Sequence, residues 1–197
     1  NRRIPPKTIL DSHTTRTVER CSEYATVLSI QDTTELDFST HKAVRGLGPI
    51  SNPAANGLKV HISLCCSDAG VPLGILHETV WAREKNRRTA GYQQRKAAIE
   101  TKESHRWLAH MELSQTLIPE TVEVISITDR EGDIYELLAL PRRAKSEFII
   151  RATHNRKTKA AAYGEEIVPL FEAIRQTPCQ GFKTLELQRT PKRAPRI

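Results

Sequence analysis

The pentapeptides Leu28-Ser29-Ile30-Gln31-Asp32 and Ile125-Ser126-Ile127-Thr128-Asp129 share one form: apolar, Ser, Ile, polar, Asp. Each ends an apolar run rich in β-branched residues, Ala25 to Asp32 and Val122 to Thr128–Asp129, and each run predicts a buried strand. Side chains alternate along a strand, so Asp32 shares a face with Ile30 and Leu28, and Asp129 with Ile127 and Ile125. Both carboxylates are therefore expected at the carboxyl end of a strand, on its apolar side, where ligand sites of α/β sheets gather. On neighbouring strands the two would repel unless a cation bridged them, and Mg²⁺ or Mn²⁺ bridges such pairs. Two ions about 4 Å apart activate a water or 3′-hydroxyl and stabilise the leaving oxygen of a phosphodiester. An ordinary role stays open beside this one, because Asp after a strand is also a frequent helix N-cap or turn residue.

The rest of the chain supplies a frame for these strands. Leu58 to Cys66 and Val71 to Val80, joined by the turn Ser67-Asp68-Ala69-Gly70, complete an antiparallel meander with the first run. A Gly-, Pro- and Asn-rich loop precedes them at Gly46–Gly57. Trp107, Leu108, Met111, Leu117 and Ile118 recur at helical spacing, and Pro119 closes that element. A helix from about Asp133 to Leu140, stopped by Pro141, links Val122–Thr128 to a strand at Glu147–Thr153 as a parallel crossover. One more helix is expected around Glu165 to Arg175 and a strand start at Phe182 to Leu187; near the other end, a short helix is expected around Thr15 to Tyr24.

Charge is distributed unevenly about this frame. The net charge is +7, with eight basic and three acidic residues between Arg83 and Arg106, and seven basic and one acidic between Arg142 and Lys159. Between Glu120 and Glu136 six acidic residues face only Arg130. An acidic centre flanked by basic segments suits a metal-using enzyme acting on a polyanion, although a solvated basic surface has the same composition. No apolar run reaches the roughly 18 residues of a transmembrane helix, so no membrane partner is expected. Cys21, Cys65, Cys66 and Cys179 lack zinc-ligand spacing, and free thiols in a reduced intracellular compartment are the simplest reading. Trp81 and Trp107 suit the core better than base stacking, and Arg87 and Arg88 suit solvent as well as phosphate. His77 and Glu78 are adjacent on a strand and point apart. Glu131 and Asp133 have an ordinary place as first-turn acids.

Several short motifs stand in one order along residues 25–175. They are Gln31-Asp32-Thr33-Thr34 after a strand, Trp81-Ala82-Arg83, Lys102-Glu103-Ser104 with Trp107-Leu108, and Asp129-Arg130-Glu131-Gly132-Asp133-Ile134, followed by Phe148-Ile149-Ile150-Arg151 and His154. This series resembles the insertion-sequence-four family of DDE transposases, which includes the transposon-five transposase. The resemblance implies an α/β fold with a ribonuclease-H-like mixed sheet flanked by helices, two Mg²⁺ or Mn²⁺ ions, and cut-and-paste transposition of double-stranded DNA. It implies a homodimer in a DNA synaptic complex, in the bacterial cytoplasm at the nucleoid. Asp32 and Asp129 match the first two of three catalytic, metal-holding carboxylates. Arg130 and Arg151 match residues expected near the scissile phosphate, and His154, Arg156, Lys157, Arg83 and Lys102 complete the expected DNA-facing set.

The sequence departs from the family at the third carboxylate. That residue lies on a later helix in a Tyr-x2-Arg-x3-Glu-x6-Lys pattern, whereas three positions beyond Tyr135 and Tyr163 stand Leu138 and Glu166. The expected organisation is residues 1–24 as the tail of an amino-terminal DNA-binding domain and residues 25–178 as the core. Residues 179–197 would begin a β-rich insertion, with the third Glu outside the chain. A non-catalytic DNA-binding or regulatory fragment is the alternative, and a host nuclease of the same fold, such as a junction resolvase, is a weaker one.

Overall fold

The computed structural model describes residues 4–52, 54–84, 98–159, 164, 166–182 and 184. Arg87 and Arg88 lie outside the described residues, as does most of the strand expected at Phe182–Leu187 and of the insertion expected over 179–197. The chain divides into two compact units, Asn1–Thr153 and His154–Ile197.

The first unit is a six-stranded mixed sheet with helices packed against it. Its strands are β1 (Thr26–Asp37), β2 (Gly48–Pro49), β3 (Asn56–Ser67), β4 (Pro72–Trp81), β5 (Glu123–Thr128) and β6 (Ser146–Ile150). β3 pairs antiparallel with β1, β2 and β4, which gives the expected meander, and β5 runs parallel to both β1 and β6. Among the described residues its helices are α1 (Pro6–Cys21), α2 (His105–Leu117) and the single turn α3 (Tyr135–Leu138).

Three expectations change in extent. β1 runs on to Asp37, so Asp32 is not at its end; the register with β3 continues unbroken from Val27 to Asp37 and holds those last residues extended. The helix expected over Asp133–Leu140 is instead a 3₁₀ turn, Arg130–Gly132, followed by α3. Asp133 interrupts it: its Oδ2 accepts from Thr153 N at 2.6 Å, and Ile134 is extended. The helix expected from Thr15 begins at Pro6, whose fixed φ suits a first helical position.

α1 belongs to the first unit and repairs an irregular strand. The β3–β4 register slips twice, leaving Leu76 and Leu73 as extra residues of β4, both buried. Such bulges leave carbonyls without ladder partners, and α1 supplies donors for them. Thr14 Oγ1 donates to Leu76 O at 3.0 Å, Thr17 Oγ1 to Ile75 O at 3.3 Å, and Arg20 Nε to Leu73 O. Ile75 N donates to His13 Nε2 at 3.0 Å. Gly74 permits this approach, since its φ is +141° and a Cβ there would lie 2.3 Å from Thr17 Oγ1.

The sheet faces are unlike one another. One is covered by α1 and α2 and holds two apolar clusters, one around Cys21, Val27, Cys65, Leu76 and Val124, the other around Trp107, Met111 and Leu137. Each such fully buried large side chain contributes about 1.5–3 kcal/mol. Much of the same covered face is polar: Ser29, Gln31, His61, Ser63 and Ser126 are all nearly inaccessible. The opposite face carries Leu28, Ile30, Leu58, Val60, Ile62, Leu64, Ile125 and Ile127, all only partly buried. The apolar side of β1 and β5 is therefore the more exposed one. Alternation sorts side chains into two sets, but which set is buried depends on where the helices lie.

The second unit holds a small hairpin, β7 (Lys157–Lys159) antiparallel to β8 (Ile167–Pro169), and α4 (Leu170–Gln176). Residues 167–169 were expected in the helix and form a strand instead. Pro169 disfavours helical geometry at Val168 and then serves as the cap residue before α4. Among its described residues Val168 and Ala173 are buried and apolar, and Asn155 Oδ1 accepts from Phe171 N in the first turn of α4 at 2.9 Å. No helix among the described residues is long and apolar enough to cross a membrane.

Candidate functional site

The parallel ladder between β1 and β5 runs up to the two aspartates without including them. It pairs Leu28 with Ile125, Ile30 with Ile127 and Gln31 with Thr128. Asp32 is the next residue of β1 and Asp129 the first residue after β5, so each directly follows the last paired position of two adjacent parallel strands. They follow the same parity, on the partly exposed face of Ile30 and Ile127, and both are exposed. β5 stops at Thr128 while β1 continues, so the pair marks the point where one strand outruns its neighbour.

Each carboxylate uses one oxygen on a nearby amide. Asp32 Oδ1 accepts from Thr33 N, and Asp129 Oδ1 accepts from Glu131 N, both at 2.8 Å. Asp129 thus also fills the N-cap role, at the start of the 3₁₀ turn. Among the described residues, the second oxygen of neither aspartate has a hydrogen-bond partner. Gly132 allows the turn to fold back over β5, because a Cβ there would stand 2.3 Å from Thr128 Oγ1 and 2.7 Å from Thr128 Cβ.

The arginines near this edge differ in commitment. Arg151 follows β6, its N–H donating to Thr128 O at 3.2 Å, which sets it beside Asp129 at the next step of the β5–β6 register. Arg130 follows Asp129 directly, and it and Arg151 are exposed and form no ion pair with any described residue. Arg83 is occupied: Nε and Nη2 donate to the two oxygens of Glu103 at 2.7 and 2.6 Å, and this pairing raises the guanidinium pKa. Lys102, partly exposed, directly precedes Glu103. His154, Arg156 and Lys157 belong to the second unit; His154 and Lys157 are exposed and Arg156 is partly buried. The basic segment after Arg142 also works structurally. Arg142 pairs with Glu147 at 2.7 Å and lies over the Phe148 ring, while Arg143 donates to the carbonyls of Ile118, Pro119, Glu120, Val122 and Ala144.

Beneath the aspartates lies a group that sequence reasoning passed over. The Arg106 guanidinium sits 5.4 Å from the Trp81 ring centroid and 5.3 Å from that of Trp107. Its Nε donates to Thr33 Oγ1 at 3.1 Å, Nη1 to Glu103 O at 2.7 Å and Nη2 to Glu131 Oε2 at 2.9 Å. Thr33 in turn meets His61, which contacts Trp107 and His110 edge to face, with His77 beyond. Burial holds the His61 pKa down to about 2, aided by the nearby His110, Arg106 and His77; burial likewise lowers His110 to about 3. These rings are neutral scaffolding, engaged by Gln31, Ser63, Thr33 and Thr79. Arg106 lies inside the Lys102–Leu108 motif, but only tertiary contact separates it from the other cations of its run.

Oxygen donors without competing partners suit a hard divalent cation, and the Asp32–Asp129 pair offers two carboxylates. Among the described residues, no group of three His, Cys, Asp or Glu side chains is placed to hold a metal. No protein-family model matches the chain.

Proposed function

We propose that this chain is core material of a DNA transposase of the insertion-sequence-four type, with a ribonuclease-H-like sheet. In this reading Asp32 and Asp129 hold Mg²⁺ or Mn²⁺. The observation that supports it is that two exposed aspartates, each with an oxygen not engaged by described residues, directly follow the last paired positions of two adjacent parallel strands. The antiparallel meander joined to parallel strands supports the same reading. Bound divalent ions would supply an activated water or 3′-hydroxyl and stabilise the departing oxygen of a phosphodiester. The protein's own part is to orient the carboxylates through the Thr33 and Glu131 amides and to present Arg130 and Arg151 to phosphate oxygens. Double-stranded DNA is the proposed substrate, with a homodimeric synaptic complex as the assembly and the bacterial nucleoid as the place of action.

A supercoiled-plasmid nicking assay with Mg²⁺ or Mn²⁺ tests this. Nicking that disappears in Asp129→Ala supports the reading, whereas nicking indifferent to both aspartates removes it. A second reading, a DNA-binding regulatory fragment, is suggested by the departure from the family pattern at the third carboxylate, where Leu138 and Glu166 stand three positions beyond Tyr135 and Tyr163. It predicts salt-dependent DNA binding without aspartate-dependent nicking.

A further inference from the structure

Thr33 and Glu131 are separated by almost a hundred positions in sequence, yet one side chain reaches both. Thr33 follows Asp32 directly, and its amide is the donor to Asp32 Oδ1; the Glu131 amide is the donor to Asp129 Oδ1. Arg106 Nε binds the Thr33 hydroxyl and Arg106 Nη2 the Glu131 carboxylate, so a rigid planar fork spans the two segments that orient the aspartates. The fork itself is held. Trp81 and Trp107 bound it, Glu103 O takes a third N–H, and only 11% of the Arg106 side chain is accessible. β1 and β5 have no ladder bonds beyond Gln31 and Thr128, so from there on the register alone does not fix the spacing of the pair.

We infer that Arg106 is a positioning residue that sets the separation of Asp32 and Asp129 by tying Thr33 to Glu131. The inference rests on the metal-site reading above, and it names the part that keeps two like charges in register. A lysine retains the charge of Arg106 but offers one nitrogen on a flexible stem, which does not reproduce three bonds in a fixed plane. Glu131, with its side chain 60% accessible, is the second handle: Glu131→Gln replaces the charged acceptor of Arg106 Nη2 with a neutral amide and weakens the clamp, while the guanidinium keeps its bonds to Thr33 and Glu103 O.

The test has two readouts on the intact chain. The first is amide hydrogen exchange of metal-free protein, followed by NMR at Thr33 and Glu131. The second is the Mn²⁺ dissociation constant, from the free-ion paramagnetic resonance signal. Arg106→Lys should speed exchange at both amides at least tenfold, leave β3 amides unchanged, and weaken Mn²⁺ binding about tenfold. Glu131→Gln should shift both readouts in the same direction by a smaller factor, about threefold, and it serves if Arg106→Lys does not fold. Unchanged exchange at both amides in a folded variant overturns the clamp. If Asp32→Asn leaves Mn²⁺ binding at its wild-type strength, the metal reading fails on its own, and the exchange data still decide whether the clamp exists.

Discussion

The Thr33 hydroxyl and His61 Nδ1 stand 2.8 Å apart, and the direction of that bond is fixed by a third group. That group is Gln31 Oε1, an acceptor facing His61 Nε2: the neutral ring carries its proton on Nε2, so Nδ1 accepts from the Thr33 hydroxyl, whose oxygen also accepts from Arg106 Nε. The imidazole is thus held neutral, with its proton on Nε2 toward Gln31 Oε1 at 3.3 Å.

A pH dependence of stability follows. In the folded protein His61 and His110 take up protons only near pH 2 and 3, whereas in the unfolded chain they do so near the ordinary value of 6.5. The unfolded state therefore binds more protons below about pH 6.5. The contribution is fully present above that value and is lost as pH falls toward 3. Each ring costs up to about 1.4 kcal/mol per pH unit in that window. Urea midpoints should drop steadily between pH 6.5 and 4.5, more gently in His110→Gln; a flat profile would contradict the buried neutral pair.

Arg143 gathers five carbonyls around the end of α2 and the approach to β5. Arg143→Ala should lower unfolding free energy by about 2 kcal/mol, the scale of losing hydrogen bonds to a charged donor. Plasmid nicking per folded molecule should not change. Chemical denaturation beside the nicking assay separates the two effects.

Gly132→Ala sets a methyl group against Thr128, whose Cβ is attached to the backbone of β5 and cannot swing aside. The expected cost is about 1–3 kcal/mol, with displacement of the turn that follows Asp129. Adding Thr128→Ala removes the 2.3 Å contact but leaves the one at 2.7 Å, so it should restore only part of the loss. Full tolerance of Gly132→Ala in a thermal melt would refute the close packing.

Asp129→Asn is a near-isosteric exchange that keeps an N-cap acceptor for the Glu131 amide and removes one charge of the pair. Without metal its melting temperature should match or exceed that of the wild type, since like charges no longer oppose. With Mn²⁺ at a hundred times its dissociation constant, the wild type should gain about 2.7 kcal/mol and the variant little. Equal stabilisation of both by Mn²⁺ would place the ion elsewhere.

Periodicity and β-branching made the strands legible, and the shared Ser-Ile-polar-Asp pattern placed both aspartates at one step of their strands. Local signals did not reveal the polarity of the buried face. Ser29, Gln31 and Ser126 alternate with Leu28, Ile30 and Ile125, so an alternation rule sends the wrong set inward; α2 instead brings His110 and Ser114 to meet the polar set, as in the 2.8 Å contact of Ser29 with Ser114. Arg106 escaped notice for a similar reason. It stands among eight cations, and its distinction is made by two tryptophans and a threonine that reach it from other elements.

The parity of β1 carries a consequence for mutation. Odd-numbered positions from Val27 to Thr33 build the scaffold beneath the sheet, and even-numbered ones from Leu28 to Asp32 build the open side. Substitutions can therefore accumulate on either side with little cross-talk. Deleting or inserting a single residue ahead of this stretch would swap the two sets at a stroke, turning the carboxylate into the packed interior and Ser29 and Gln31 toward water.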